Sequence, residues 1–163
     1  IELFGESWNS RTEHKSAEWV SQFLKTVTLK CRRRSYGPLE EIKVQFHKKL
    51  EGNLQSIFNE LAEHEEFYVK SYSAYRDSNI AHSSTQSNHA YGVAFDLNIY
   101  ENPRFYNNGT TEPPEGVNFN DPILSMKDNS NWVVQIWAKY GFGWGGNYRQ
   151  EKDYMHFSYF NGW

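Results

Sequence analysis

At 163 residues the chain has the length of one domain and can bury a core without disulfide staples. Apolar residues make up 38% and charged residues 23%, which excludes a disordered chain. Lys plus Arg is 17 against 20 for Asp plus Glu, a net charge of −3 that speaks against a nucleic-acid partner. Aromatics reach 17% and gather at 67–75, 91–106 and 132–163, where they build a core or line a cleft. The one dense basic run, Lys30, Arg32, Arg33 and Arg34, reads as a solvated loop between helices. Cys31 is the single cysteine, so no internal disulfide forms; its basic neighbours favour a lowered thiol pKa, yet it reads as incidental. No apolar run has transmembrane length and no signal peptide is visible, although the chain starts at Ile1 rather than Met, which suggests a missing N-terminal piece.

In chain order, Ala17, Val20, Phe23, Leu24 and Val27 form a helical stripe over 15–29. Gly37-Pro38 marks a turn. From Leu39, apolar residues at three- and four-residue steps through Ile42, Phe46, Leu50, Leu54, Ile57, Phe58 and Leu61 predict a longer helix, interrupted by Gly52. Alternation predicts a strand over 66–76, a loop over 77–88 and a second strand over 93–98. Residues 101–131 hold four of the five prolines and form a long surface excursion, of the kind that walls a substrate cleft. A helix follows, with Trp132, Val133, Ile136, Trp137 and Tyr140 on one face and Gly141 as C-cap. A third strand over 154–160 closes the chain. Helices first and a small, mostly antiparallel sheet after them is an α+β pattern.

In the strand 93–98, Val93, Phe95 and Leu97 point to one face, while Ala94, Asp96 and Asn98 point to the other. In 154–160, Met155, Phe157 and Tyr159 share a face and His156 lies opposite with Ser158. His89 stands just before Gly92, which permits a tight turn. Two histidines and one carboxylate suit a catalytic zinc, with a fourth position left open. Spacing alone leaves these histidines open between metal ligands and structural residues. His14, His47 and His64 read as residues of polar helical faces, and His82 as a solvated loop residue. Asn108-Gly109-Thr110 is a glycosylation sequon of a kind that arises often by chance.

The longer motifs decide more. Ser87-Asn88-His89-Ala90-Tyr91-Gly92-Val93-Ala94-Phe95-Asp96 fits S-x-H-x-x-G-x-A-x-D. Asp153-Tyr154-Met155-His156-Phe157 fits D/E-x-x-H-F, and Gly141-Phe142-Gly143-Trp144-Gly145-Gly146 fits G-F-x-W-G-G. Ser73-Ala74-Tyr75-Arg76 is close to S-G-Y-R, and Asn102-Pro103 supplies an N-P. Together, over roughly 38–160, these resemble the zinc peptidases that act as D-alanyl-D-alanine carboxypeptidases and L-alanyl-D-glutamate endopeptidases on bacterial cell-wall peptides.

The resemblance implies one zinc peptidase domain over 1–163, with a fold shared with the signalling domain of Hedgehog proteins. It implies one Zn²⁺ held by His89, Asp96 and His156, with Asp153 as general base. Arg76 would stabilise the oxyanion or hold a substrate carbonyl or carboxylate. Ser87, Tyr91 and Trp144 would contact substrate. The partner is a peptidoglycan peptide, the site of action the periplasm or cell wall, and the expected state a monomer. Asp at position 153 together with W-G-G is closer to the endopeptidase branch, as in phage endolysins; the carboxypeptidase and a non-catalytic zinc module are the alternatives. Asp77 after Arg76 and Ala74 in place of Gly depart from the pattern and touch substrate contacts rather than the metal set.

Overall fold

The computed structural model describes residues 17–160, 162 and 163. His14 and the start of the first expected helix lie outside them. Helix α1 spans Ala17–Phe23 and buries Trp19. The chain then changes period. In β1 (Leu24–Arg32) Val27, Leu29 and Cys31 are buried, and in β2 (Leu39–His47) Ile42, Val44 and Phe46 are. The two strands pair antiparallel, from Leu24 opposite His47 to Arg32 opposite Leu39.

This hairpin takes the place of the second half of one expected helix and the first half of the next. Thr26, Val27, Thr28, Ile42 and Val44 are β-branched and stiff at χ1, so they favour a pleated surface over a helix. The basic run therefore sits at a hairpin end and not between helices. Arg32 donates to the Ala62 carbonyl at 2.6 Å and Arg33 to that of Lys70 at 3.2 Å, which ties the turn to later segments. Burial outweighs Arg33 beside Cys31 and pushes the thiol up to about 11, against the lowering that its basic neighbours suggest. His47, expected on a polar helical face, is fully buried, and its ring accepts from the Lys49 backbone N–H at 3.2 Å.

Helix α2 (Glu51–Leu61) buries Leu54, Ile57, Phe58 and Leu61. Of the strand expected over 66–76, only β3 (Tyr72–Ser73) pairs; Lys70 and Ser71 donate their backbone N–H groups to Asn98 Oδ1 instead. β4 (Ala94–Leu97), β7 (Gly143–Trp144) and β8 (His156–Ser158) complete an antiparallel sheet in the order β3-β4-β8-β7. A second short hairpin, β5 (Arg104–Phe105) and β6 (Thr111–Glu112), lies within the 101–131 excursion. Buried Asn102 pins that excursion: it donates to the Asn98 and Leu124 carbonyls and accepts from Met126 N–H.

Helix α3 (Trp132–Lys139) is capped by Asn131, whose Oδ1 accepts from Val133 and Val134. It packs on one face of the sheet. Trp137 stacks on Phe157 at 4.4 Å between centroids and meets Phe95 at 5.4 Å. Tyr140 is the C-cap, and Gly141 follows it at φ +91°. The molecule is α+β, with a few helices and small antiparallel sheets. Val93, Phe95 and Leu97 enter the core as expected, which turns Asp96 to the opposite face.

Candidate metal centre

The S-x-H-x-x-G segment folds as one 3₁₀ turn, Asn88–Tyr91. Ser87 Oγ accepts from His89 N–H at 3.2 Å, which caps the start of the turn. Gly92 closes it at φ +67°, where a Cβ would stand 2.5 Å from Leu24 Cδ2. The turn delivers His89 to the head of β4. Pairing of β4 with β8 then places Asp96 directly opposite His156, and Ser73 of β3 opposite Asp96 on the other side.

Three side-chain atoms converge there. His89 Nε2, Asp96 Oδ1 and His156 Nδ1 form a triangle with every edge 3.2 Å, and all three residues are buried. The outer ring nitrogens are already engaged: His89 Nδ1 lies 2.6 Å from the Ala74 carbonyl and His156 Nε2 lies 2.7 Å from that of Gly162. A carbonyl only accepts, so each outer nitrogen carries a proton, and each ring in its neutral form turns a lone pair inward. Without a metal, burial lowers the His156 imidazole pKa, but Asp96 outweighs it and raises it. With both rings neutral, two lone pairs and a carboxylate oxygen face one another, an arrangement that suits a cation. A tetrahedral ion with bonds of about 2.0–2.1 Å needs donor atoms about 3.3–3.4 Å apart, close to the observed edges. The cluster is able to hold a metal ion.

Burial favours the neutral carboxyl of Asp96, but the adjacent His89 and His156 outweigh it and hold the group well below the usual carboxylate range. Burial lowers the His89 imidazole pKa despite Asp96. Arg76 binds the other carboxylate oxygen: its Nη1 donates to Asp96 Oδ2 at 3.0 Å and to Ser73 Oγ at 2.9 Å.

A cavity of about 510 Å³ opens onto the triangle, and Arg76, Ser87 and Asp153 also line it. Glu112, Pro113 and Pro114 place the 101–131 excursion on its wall. Asp153 is buried, and its Oδ1 has no hydrogen-bond partner. Burial, opposed by His156 and reinforced by Asp96, pushes its pKa up to about 7. Its backbone is fixed on both sides: Asp153 N–H donates to Gly145 O at 3.1 Å, and Asp153 O accepts from His156 N–H at 3.2 Å. A Cβ on Gly145 would stand 2.2 Å from Asp153 O, so the W-G-G turn needs glycine there.

Residues 81–159 match the family model described as D-alanyl-D-alanine carboxypeptidase. This segment belongs to the D-alanyl-D-alanine carboxypeptidase family. No curated protein matches the chain. The family segment contains His89, Asp96, Asp153 and His156, while Arg76 reaches the same cavity from outside it. The match is narrower than the 38–160 over which the motifs extend.

Two expected substrate contacts do not reach the cavity. Tyr91 is fully buried and meets Trp19 edge to face at 5.8 Å. Trp144 is buried, and its Nε1 donates to the Tyr154 carbonyl at 2.8 Å. Both serve the core: the motif spacing that sets His89 and Asp153 in the cavity turns these rings inward. Met155, expected to share a face with Phe157, precedes β8 and lines the cavity. Arg104 and Trp163 line it too and stood out in no motif. Glu151 is engaged elsewhere, accepting from Arg104 at 3.2 Å and from Asn107 N–H at 3.1 Å.

Proposed function

We propose that the chain is a zinc peptidase of peptidoglycan stem peptides that cuts an internal L-alanyl–D-glutamyl bond. The observation that supports this most is the triangle of three proton-free donors beside the unpartnered Asp153 Oδ1 in one cavity. His89, Asp96 and His156 would hold Zn²⁺, which when bound supplies Lewis acidity for attack on the scissile carbonyl. Asp153 accepts the proton of the attacking water at Oδ1 and returns it to the leaving amine. Burial, which favours the protonated carboxyl of Asp153, makes it a better proton acceptor than a solvated carboxylate. The Arg76 guanidinium, anchored through Nη1, meets negative charge developing on the carbonyl oxygen. Ala74 O and Gly162 O keep the two imidazoles in the ligating tautomer.

The family description favours a second reading, removal of a terminal D-alanine. Asp at the base position supports the endopeptidase instead, as does a second cavity of about 520 Å³ beside the first, which lengthens the trough available to a peptide. Action on such a substrate takes place in the periplasm or cell wall. Among the described residues no helix is long and apolar enough to cross a membrane. A module with the Hedgehog-type fold that binds zinc without turnover needs neither a poised Asp153 nor Arg76. Zinc titration of the metal-free chain, with hydrolysis of a defined muropeptide followed in parallel, separates these. Turnover that rises and saturates at one equivalent supports the enzyme; stoichiometric zinc without turnover supports the module.

A further inference from the structure

Arg104 is a charged group held where the metal chemistry does not use it. The residue is buried, with 11% of its side chain exposed, yet it borders both cavities. Its guanidinium carbon lies 3.7 Å from the Trp163 ring centroid and 4.8 Å from that of Tyr106, so aromatic faces fix the plane of the fork. One edge is occupied, with Nη2 donating to Glu151 Oε1 at 3.2 Å. Nε is buried and without a hydrogen-bond partner. A buried cation with an unmade hydrogen bond is costly unless an anion completes it. The position is tied to the reacting centre by a backbone bridge between Arg104 and Asp153. Trp163, against which the guanidinium lies, is itself 6.1 Å from the His156 ring centroid. That spacing is within the reach of about three extended peptide residues.

We propose that Arg104 is a specificity residue that binds a free carboxylate on the substrate, one or two residues from the scissile bond. A planar, pre-oriented fork matches a carboxylate, whereas a neutral amide at the same place offers the free edge no charge-assisted pair. The inference rests on the peptidase reading and names the substrate chemistry of that same site. For an L-alanyl–D-glutamyl bond, the group concerned is the glutamyl α-carboxylate, which such a substrate leaves free when the chain continues through the side chain.

The test compares two synthetic stem peptides, one with that α-carboxylate free and one with it amidated, on the full chain. Binding to the metal-free protein is read by calorimetry and cleavage by the zinc-loaded protein by chromatography. Wild type should bind and cleave the acid peptide with about a tenfold or greater advantage in Kd and KM. Arg104→Gln should abolish that preference, and Arg104→Lys should restore only part of it. Equal binding of the two peptides by wild type overturns the proposal without any variant having to fold. Cleavage with a preference that survives in Arg104→Gln also overturns it and leaves the peptidase reading standing. Discrimination in binding without cleavage supports the carboxylate site and sinks the peptidase reading.

Discussion

Asp96 and His156 face each other across the β4–β8 pairing, with Asp96 Oδ1 3.2 Å from His156 Nδ1. Neighbouring positions on antiparallel strands bring side chains this close without help from loops. Only His89 needs a special turn to join them, and Ser87 and Gly92 close that turn at its two ends. His89→Ala should therefore lose bound metal and activity together, since two donors hold zinc poorly. Metal content by atomic absorption, beside muropeptide hydrolysis, checks it; full zinc occupancy in the variant would remove His89 from the ligand set.

Asp153→Asn separates binding from catalysis. The amide keeps the shape of the side chain and removes the proton acceptor. We expect stoichiometric zinc and a loss of at least about a hundredfold in turnover. Loss of zinc instead would make Asp153 a ligand or its direct support.

Arg76→Lys replaces a planar fork with a point charge beside Asp96. Zinc should stay bound while kcat falls, by roughly tenfold or more. Unchanged kcat would leave Arg76 as a strand-end salt bridge to Asp96 and nothing further.

The metal-free protein should carry the signature of Asp153 in its stability. Its folded-state pKa of about 7 lies above the ordinary carboxylate value of 3.8. Between these values the unfolded chain has released the proton and the folded chain retains it, so rising pH destabilises the fold across that window. The loss is complete above the folded pKa and is on the order of a few kcal/mol. Asp153→Asn removes it. Thermal melts of the metal-free proteins should show a shallower fall of Tm from pH 4 to 8 in the variant, and a higher variant Tm at pH 8. Parallel curves would place Asp153 in a more solvated setting than the cavity provides.

Gly145→Ala tests the turn behind the base. The added methyl would meet Asp153 O at 2.2 Å and Asp153 Cβ at 3.0 Å. Backbone must move, so we expect a lower Tm and a loss of about ten- to a hundredfold in rate from a displaced carboxylate. A wild-type rate in the variant would show that Asp153 needs no support from this turn.

The metal triangle was legible in the sequence because each donor sits in a short motif with a local cause: a capped turn, a strand alternation and a second strand in register. The β1–β2 hairpin was not. Leu39, Ile42, Phe46 and Leu50 satisfy helical spacing, yet Ile42, Val44 and Phe46 also alternate, and partner strand β1 settles which period is used. Tertiary pairing of that kind leaves no mark within one segment. Arg104, Met155 and Trp163 were equally hidden, since cavity walls are assembled from segments without shared periodicity. Tyr91 and Trp144 erred the other way: motif residues beside the site serve the core that positions it.

Mass spectrometry of purified peptidoglycan digested by the zinc-loaded chain, by the chelated chain and by the reloaded chain tests the central claim most directly. We expect fragments with new L-alanine carboxyl ends and D-glutamate amino ends, lost on chelation and restored with zinc. Intact stem peptides after digestion with the zinc-loaded chain, or loss of a terminal D-alanine alone, would contradict it.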